Sequence, residues 1–426
     1  MSKFQIILVA VFAVFIVLGV IVFSLYRGSS NEDIPMIIWG DISAEDFSRL
    51  LNTTVITQDR MFNISYVEKS FETIDAEFTE ALARGAGPDL VILTQDKLWK
   101  NKAKLYLIPY SNISERDFKT TFIEEGELFL DEGGIYALPL SVDPLVLYHN
   151  RDLLSAAGQA QAIRYWDEIY AAAANLSKRD AAGNLVLSVM ALGEAKNISH
   201  AKDILSLLML QAGTPITSFV NKELRPQIAN NFGLLASPGE SSLDFYTQFS
   251  NPAKVYYSWN RSLIDAQTNF TSGDSAYYLG FASELRVLRN KNPVLNFGIT
   301  AVPQSRVSGK AVTFGRLRGI AVSRGSLNPG AALALAVKLA SKEVELALSG
   351  ILSLPPARRD LLSQKPTDAI FPVFYDAALQ SKGWLDPDTA ATETIFREAI
   401  ESVTSGRARI FEAVNKMNRE VEALIK

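Results

Sequence analysis

The chain has 426 residues, with 42 Lys and Arg against 46 Asp and Glu and a net charge of -4. That length allows two or three domains with sizeable cores, and the acidic balance argues against a nucleic-acid partner, which wants a basic face. With no cysteine and only two histidines, His149 and His200, disulfides, thiol nucleophiles, lipidated cysteines, Cys-ligated metals and His-rich metal sites are excluded, and no cofactor is expected.

The chain opens on an apolar run, Phe4 to Tyr26, with Lys3 before it and Arg27 after it. Such a run spans a bilayer core of roughly 30 Å. It is longer than the apolar stretch of about 7–15 residues in a cleaved signal peptide, and Phe23-Ser24-Leu25-Tyr26-Arg27 offers no small-residue cleavage site. Residues 1–30 therefore read as an uncleaved, single-pass N-terminal transmembrane anchor and linker. Lys3 and Arg27 nearly balance and do not fix the orientation; the preferred topology places the body outside the cytoplasm.

After the polar linker Gly28–Asp33 comes an apolar strand, Met36–Trp39, followed by Gly40-Asp41 and a helix over Ala44–Leu51 with Ser43 at its N-cap. A second strand, Phe62–Glu68, precedes an amphipathic helix over Thr73–Arg84. Gly85-Ala86-Gly87-Pro88-Asp89 then leads into the strand Leu90–Leu93. Apolar strands alternating with helices predict a mainly parallel sheet covered on both faces. Gly85 and Gly87 precede a strand, whereas phosphate-cradling glycines follow one.

Gly133 to Gly158 reads "GGIYALPLSVDPLVLYHNRDLLSAAG". The pattern predicts two short buried strands, Ile135–Leu138 and Leu145–Tyr148, with a lone acid, Asp143, between Pro139 and Pro144. Beyond Tyr165 the chain turns helical: Trp166–Asn175, Ala201–Ala212, Ser242–Phe249 and Leu263–Phe270 carry helical spacing. Strand patterns return at Ala276–Leu279, Phe297–Val302 and Gly319–Val322. Helices then dominate, from Pro329–Ala340 to Ala408–Ile425. Sheet-forming segments on both sides of a helical middle indicate that one lobe is not contiguous in sequence.

Several segments, taken in order, resemble the maltose-binding-protein-like extracellular solute-binding proteins that serve ABC importers of sugars. "IIWGD" resembles that family's first strand and ligand-facing loop, and "GAGPDLVIL" its Gly-x-Gly-Pro-Asp strand. "GIYALPLSVDPLVLYHNRDLL" followed by "YWDEI" resembles the first crossing between lobes. "NFTSGDSAYYLGFASEL" resembles a Phe-x-x-Gly-x-x-Ala run into a strand, and "NFGITAVPQ" the second crossing. The resemblance covers nearly all of residues 34–426. It implies an α/β, two-lobed clamp with discontinuous lobes, residues 31–142 plus 303–350 forming one and 143–302 plus 351–426 the other. Asp143 then stands at a crossing, on the floor of a cleft, with a third return near Ser349-Gly350.

Sugar sites combine aromatic faces, which stack on C–H patches, with acids and amides that accept hydroxyl hydrogen bonds. By family position, Asp41, Asp96, Lys97 and Asp143 match polar ligand contacts, and Arg397 another; a helix cap or a solvated charge is the plainer account of each. Trp259 and Trp384 stand among loop signals and are candidate stacking platforms, joined by Tyr278 and Phe281 at the end of a strand. Trp39 reads as core, Trp166 as a packing residue and Trp99 as surface or rim. The chain departs from the family at Ser283 and Glu393, where tryptophans are common, and at Leu93, where an aromatic is. The platform for a long oligosaccharide is thus reduced, and a small sugar, a glycoside or a cationic metabolite remain open.

The resemblance implies a membrane-tethered, extracytoplasmic binding protein, not an enzyme, that closes on a small polar solute and delivers it to ABC permease subunits. A ligand-sensing or scaffold ectodomain using the same clamp without transport is the alternative. A glycoside hydrolase needs a carboxylate pair, and no spacing singles one out. His149, at the end of an apolar strand, reads as structural.

Overall fold

The computed structural model describes residues 33–54, 56, 61–306 and 309–425. The expected membrane anchor falls on residues outside these. Among the described residues, no helix is long and apolar enough to cross a membrane.

The first lobe begins as the sequence pattern indicates. Strand β1 (Ile34–Gly40) runs into the helix Ala44–Thr53, whose first turn is closed by Ser43 accepting from the Asp46 amide. Strands β2 (Phe62–Glu68) and β3 (Leu90–Thr94) pair with β1 in parallel. Short strands β4 (Ile108–Pro109), β5 (Leu130–Asp131) and β6 (Gly134–Ile135) form a small separate sheet. Strand β7 (Leu138–Asn150) follows, then β8 (Lys178–Arg179), β9 (Leu185–Met190), the hairpin β10 (Thr217–Val220) and β11 (Glu223–Pro226), β12 (Ser275–Phe281), β13 (Phe297–Thr300), β14 (Thr313–Val322) and β15 (Ser381–Lys382).

One ten-stranded sheet runs through the molecule in the order β2-β1-β3-β14-β7-β12-β9-β8, with β13 added on β7 and β15 on β14. The expectation of a mainly parallel sheet is corrected here. The pairs β1–β2, β1–β3, β9–β12 and β14–β15 are parallel, but β3–β14, β14–β7, β7–β12 and β7–β13 are antiparallel. The mixture arises where strands travelling between the lobes run back through the sheet.

The stretch around Asp143 is also corrected. It forms a single strand of 13 residues rather than two strands and a turn, and every residue but His149 is buried. Prolines cannot donate to a ladder. Pro144 pairs with Gly315, while Pro139 lies opposite Gly319, where the register shifts between Arg318 and Gly319. That irregularity absorbs the missing donor.

Two hydrophobic cores lie on either side of this strand pair. Leu140 and Val142 belong to the first, with Met36, Ile38, Phe47 and Ile92; Leu145 to Tyr148 belong to the second, with Leu205, Tyr246 and Phe270. The core therefore changes at Asp143. On β14 it changes between Phe314, in the second core, and Leu317, in the first. Gln95 fastens β14 at that point: its Nε2 donates to Gly315 O (3.0 Å), and its Oε1 accepts from the Leu317 amide (2.7 Å). The chain is thus two lobes joined through long strands that both lobes share.

Candidate functional site in the cleft between the lobes

The two shared strands fix the centre of the site. In their antiparallel ladder Arg316 is the partner of Asp143, and Arg318 that of Ser141. Residues two apart in a strand share a face. Leu317, between the arginines, enters the first core, so both arginines turn to the opposite face, with Asp143.

Arg318 grips Asp41 with a fork, Nε to Oδ1 and Oδ2 (both 3.1 Å) and Nη2 to Oδ2 (3.0 Å). Asp41 is brought there by the end of β1. Arg316 Nη2 donates to Asp203 Oδ2 at 2.7 Å, and its guanidinium lies 4.0 Å from the Phe281 ring centroid. The Arg316 side chain remains 30% exposed. Asp143 accepts from the Ser283 amide at 2.9 Å. Burial raises the Asp143 carboxyl above its ordinary range, partly offset by Arg318 and the Ser283 contact.

A second layer supports Asp203. His200 Nδ1 lies 3.6 Å from Asp203 Oδ2, and its Nε2 lies 2.7 Å from Glu284 Oε1. Glu284 also accepts from Tyr278 Oη (2.5 Å), Gln267 Nε2 (2.6 Å) and the Phe281 amide (2.8 Å). Burial disfavours charge on His200, but the hydrogen bond to Glu284 and the nearby Asp203 carboxylate outweigh it and raise His200 to about 9. Burial likewise opposes charge on Asp203, yet Arg316 and His200 hold it at about 2. Beside them Lys202 Nζ is paired with Asp386 (2.5 Å) and donates to Thr392 Oγ1 (2.8 Å).

Contacts also close the rim. Lys100 of the first lobe meets Asp388 of the second at 2.7 Å, Glu132 meets Lys222 at 3.0 Å, and the rings of Trp99 and Phe219 stand 6.0 Å apart. Trp99 thus occupies the rim, as its sequence setting suggests.

Asp41, Asp143 and Phe281 converge with the arginines. Asp96, half-buried in the first turn of the helix Gln95–Asn101, is hydrogen-bonded to Thr94 and is close enough to influence Arg316 and Lys202. The other candidates stand apart. Lys97 is buried and paired with Asp75 at 2.8 Å, its ammonium over the Phe71 ring. Tyr278 is core, its hydroxyl spent on Glu284. Arg397 is exposed on the helix Thr389–Thr404, beside Thr394.

The reading of Trp259 and Trp384 as loop aromatics facing an open cleft is corrected. Trp259 is 0% exposed, with Nε1 donating to Asn197 Oδ1 at 3.0 Å. Trp384 is buried and stacked on Phe396, the centroids 6.0 Å apart. Loop signals in sequence report backbone irregularity, and both indoles fold back from their loops into the second core.

The sequence reading missed Arg316, Arg318, His200, Lys202, Asp203 and Asp386. For the arginines a signal was present: Arg-Leu-Arg within "TFGRLRGIAV", two like charges at period two inside an otherwise apolar run. Starting that strand at Gly319 hid it.

The arrangement offers fixed guanidinium donors, carboxylate acceptors and an aromatic face. Among the described residues, no group of three or more His, Asp or Glu is placed to hold a metal. Two lobes joined through shared crossing strands, with a polar cluster where they join, define the two-lobed fold of solute-binding proteins. Residues 56–372 match the family described as bacterial extracellular solute-binding protein, and the chain belongs to that family.

No curated protein sequence matches the chain. Its fold is similar to that of a cyclo/maltodextrin-binding protein complexed with maltotetraose: TM-score 0.73 and 16% identity, over 93% of this chain and 99% of that one. It is similar also to the sugar-binding protein MalE of the phytopathogen Xanthomonas citri, with TM-score 0.73 and 18% identity over 92% and 97% of the two chains. The GacH receptor of Streptomyces glaucescens, solved unliganded and with acarbose, gives TM-score 0.71 and 18% identity over 92% and 98%. At these identities the likeness is one of fold.

Proposed function

We propose that this protein captures a small sugar or glycoside outside the cytoplasmic membrane by closing its two lobes on it, and hands the solute to an ABC importer. The observation that carries the reading is the polar floor of the cleft. Arg316, Arg318, Asp41 and Asp143 stand on or beside the strands that join the lobes, and the Phe281 face lies against Arg316. Hydroxyl groups of a sugar can both donate to the acids and accept from the guanidinium groups, and a sugar's C–H face suits an aromatic ring. A solute bridging the lobes stabilises the closed form by its greater affinity for it. Proteins of similar fold solved with maltotetraose and with acarbose support the same class.

The first lobe is proposed to end at Asp143 on β7 and to resume at Gly315–Arg316 on β14, where the cores change. The apolar segment Phe4–Tyr26 is proposed to tether the body to the membrane. The test is a thermal-shift screen of the full chain in detergent against mono- and oligosaccharides, amino acids and polyamines. Stabilisation by a sugar, lost in Arg316→Ala, is expected. Stabilisation by polyamines or amino acids alone would overturn the sugar assignment.

A further inference from the structure

Glu125 lies in the short helical turn Glu124–Phe129 of the first lobe, only 2% exposed. Neither carboxyl oxygen has a hydrogen-bond partner that meets normal geometry, and the neighbouring Ser381 Oγ lacks one too. A buried polar group left unpaired is costly and calls for an explanation.

Its place in the fold is unusual. A Cβ placed on Gly315 would lie 3.0 Å from Glu125 Oε2 and 1.7 Å from Ser381 Oγ. A Cβ placed on Gly383 would lie 2.7 Å from Glu125 Oε1 and 2.8 Å from Gln95 Nε2. Gly315 is on β14 where the core changes from one lobe to the other. Gly383 follows β15 and precedes Trp384, which packs in the second core. The carboxyl is therefore wedged between two backbone segments that pass from lobe to lobe, and only residues without a Cβ leave room for it.

We propose that Glu125 is a proton-dependent wedge in the hinge: protonated, its carboxylic acid packs between β14 and the segment after β15 and favours the closed lobes; ionised, it draws water between them and favours a more open arrangement. The neutral acid brings its own O–H donor to a site where Ser381 Oγ can accept. The carboxylate can only accept and must be hydrated or paired. The ionisable groups around it are Lys382 on β15, Asp96 on the helix Gln95–Asn101 and Glu124 on its own turn; Lys382 is already paired with Glu124. Burial raises the Glu125 carboxyl to about 7, with Ser381 and Lys382 partly offsetting it, so the change falls within an ordinary environmental range.

This inference shares with the proposed function only the assumption that the lobes move about these strands, and it needs no solute. The chain has no cysteine, so two introduced cysteines can be labelled without background. Glu80→Cys in the first lobe and Asp244→Cys in the second, both exposed, would carry a dye or spin-label pair on the full chain in detergent. The distance between labels should lengthen as pH rises, with a midpoint near 7. Glu125→Gln, neutral at every pH, should stay at the short distance throughout. Lys382→Gln, which removes a charge that lowers the proton affinity of Glu125, should move the midpoint upward. An unchanged distance across the pH range, or the same transition in Glu125→Gln, would overturn the proposal. If Glu125→Gln does not fold, an unshifted midpoint in Lys382→Gln would do so. Failure of the sugar screen with a normal pH transition would count against the function and not against the wedge.

Discussion

Arg316 is the cross-strand partner of Asp143, yet its hydrogen bond goes to Asp203, 2.7 Å away on the helix Ala201–Ala212. A residue on the joining strand is thereby tied to a helix of the second lobe, with His200 and Glu284 behind it. Asp143 keeps the Ser283 amide as its partner. On the proposed function, a solute would meet donors and acceptors already held in place, which limits the ordering cost of binding.

Removing the Arg316 guanidinium should therefore act on binding as well as on folding. A hydrogen bond to a charged group contributes about 1.5–3 kcal/mol. Arg316→Met should weaken the best sugar ligand by about tenfold or more, measured by calorimetry. Its melting temperature should fall as well, because the buried Asp203 loses the partner that holds its charge, so affinity is measured on the folded fraction. Unaltered affinity would remove Arg316 from the site.

The indoles should act on folding alone. Truncating a buried tryptophan costs roughly 3–5 kcal/mol of stability. Trp259→Ala should show that loss in urea unfolding, while its folded fraction binds solute normally. Trp384→Ala should follow the same pattern, with an added effect from loss of the Lys202 ammonium's aromatic neighbour, 5.4 Å from the ring centroid. A large fall in affinity at unchanged stability would return either residue to the cleft.

The supporting charges set opposite limits on pH. Asp203, held at about 2 against an ordinary 3.8, contributes stability that is present above its unfolded value and lost as pH falls through about 2. His200, raised from 6.5 to about 9, contributes stability that is complete below 6.5 and lost as pH rises through about 9. The urea midpoint should thus decline between about pH 6.5 and about pH 9, and the decline should be shallower in His200→Gln. An equally steep decline in that variant would show that other groups set the alkaline limit.

The proposed membrane tether has a direct test. The full chain should fractionate with membranes, and mass spectrometry should find its N-terminal apolar segment retained. A mature protein starting near Gly28–Asn31 would show that the segment is cleaved.

Much of the fold was legible locally. Strand β2 and the helix Ala201–Ala212 fall where the periodicity and end signals put them, and Ser43 caps its helix as expected. These features depend on neighbours in sequence: apolar spacing, a capping hydroxyl, a helix-ending Gly213 in the left-handed region. The solute-binding class was legible too, because it is carried by short segments in a fixed order.

The site was only partly legible. Asp41 and Asp143 could be marked because each sits at the edge of an apolar run, where an acid is conspicuous. His200 and Asp203 were absorbed into a helix correctly placed but assigned no role. Trp259 and Trp384 were misplaced because sequence shows that a loop is near, not which way its side chain turns. The parallel arrangement failed for a related reason: whether two strands run together or opposed depends on how the connections between them return, and residue alternation is the same either way.

By itself, then, the sequence determined the placement of most strands and helices, the apolar leading segment and the family of the chain, since each is written in contiguous residues. The tertiary structure alone decided that β7 is one strand shared by two cores, that Arg316 and Asp203, 113 residues apart, meet, and that Glu125 lies between Gly315 and Gly383. Those relations arise from long-range strand pairing and from the packing of one lobe against the other. Local spacing carries no information about such distances, because any register that buries the same faces satisfies the local pattern equally well.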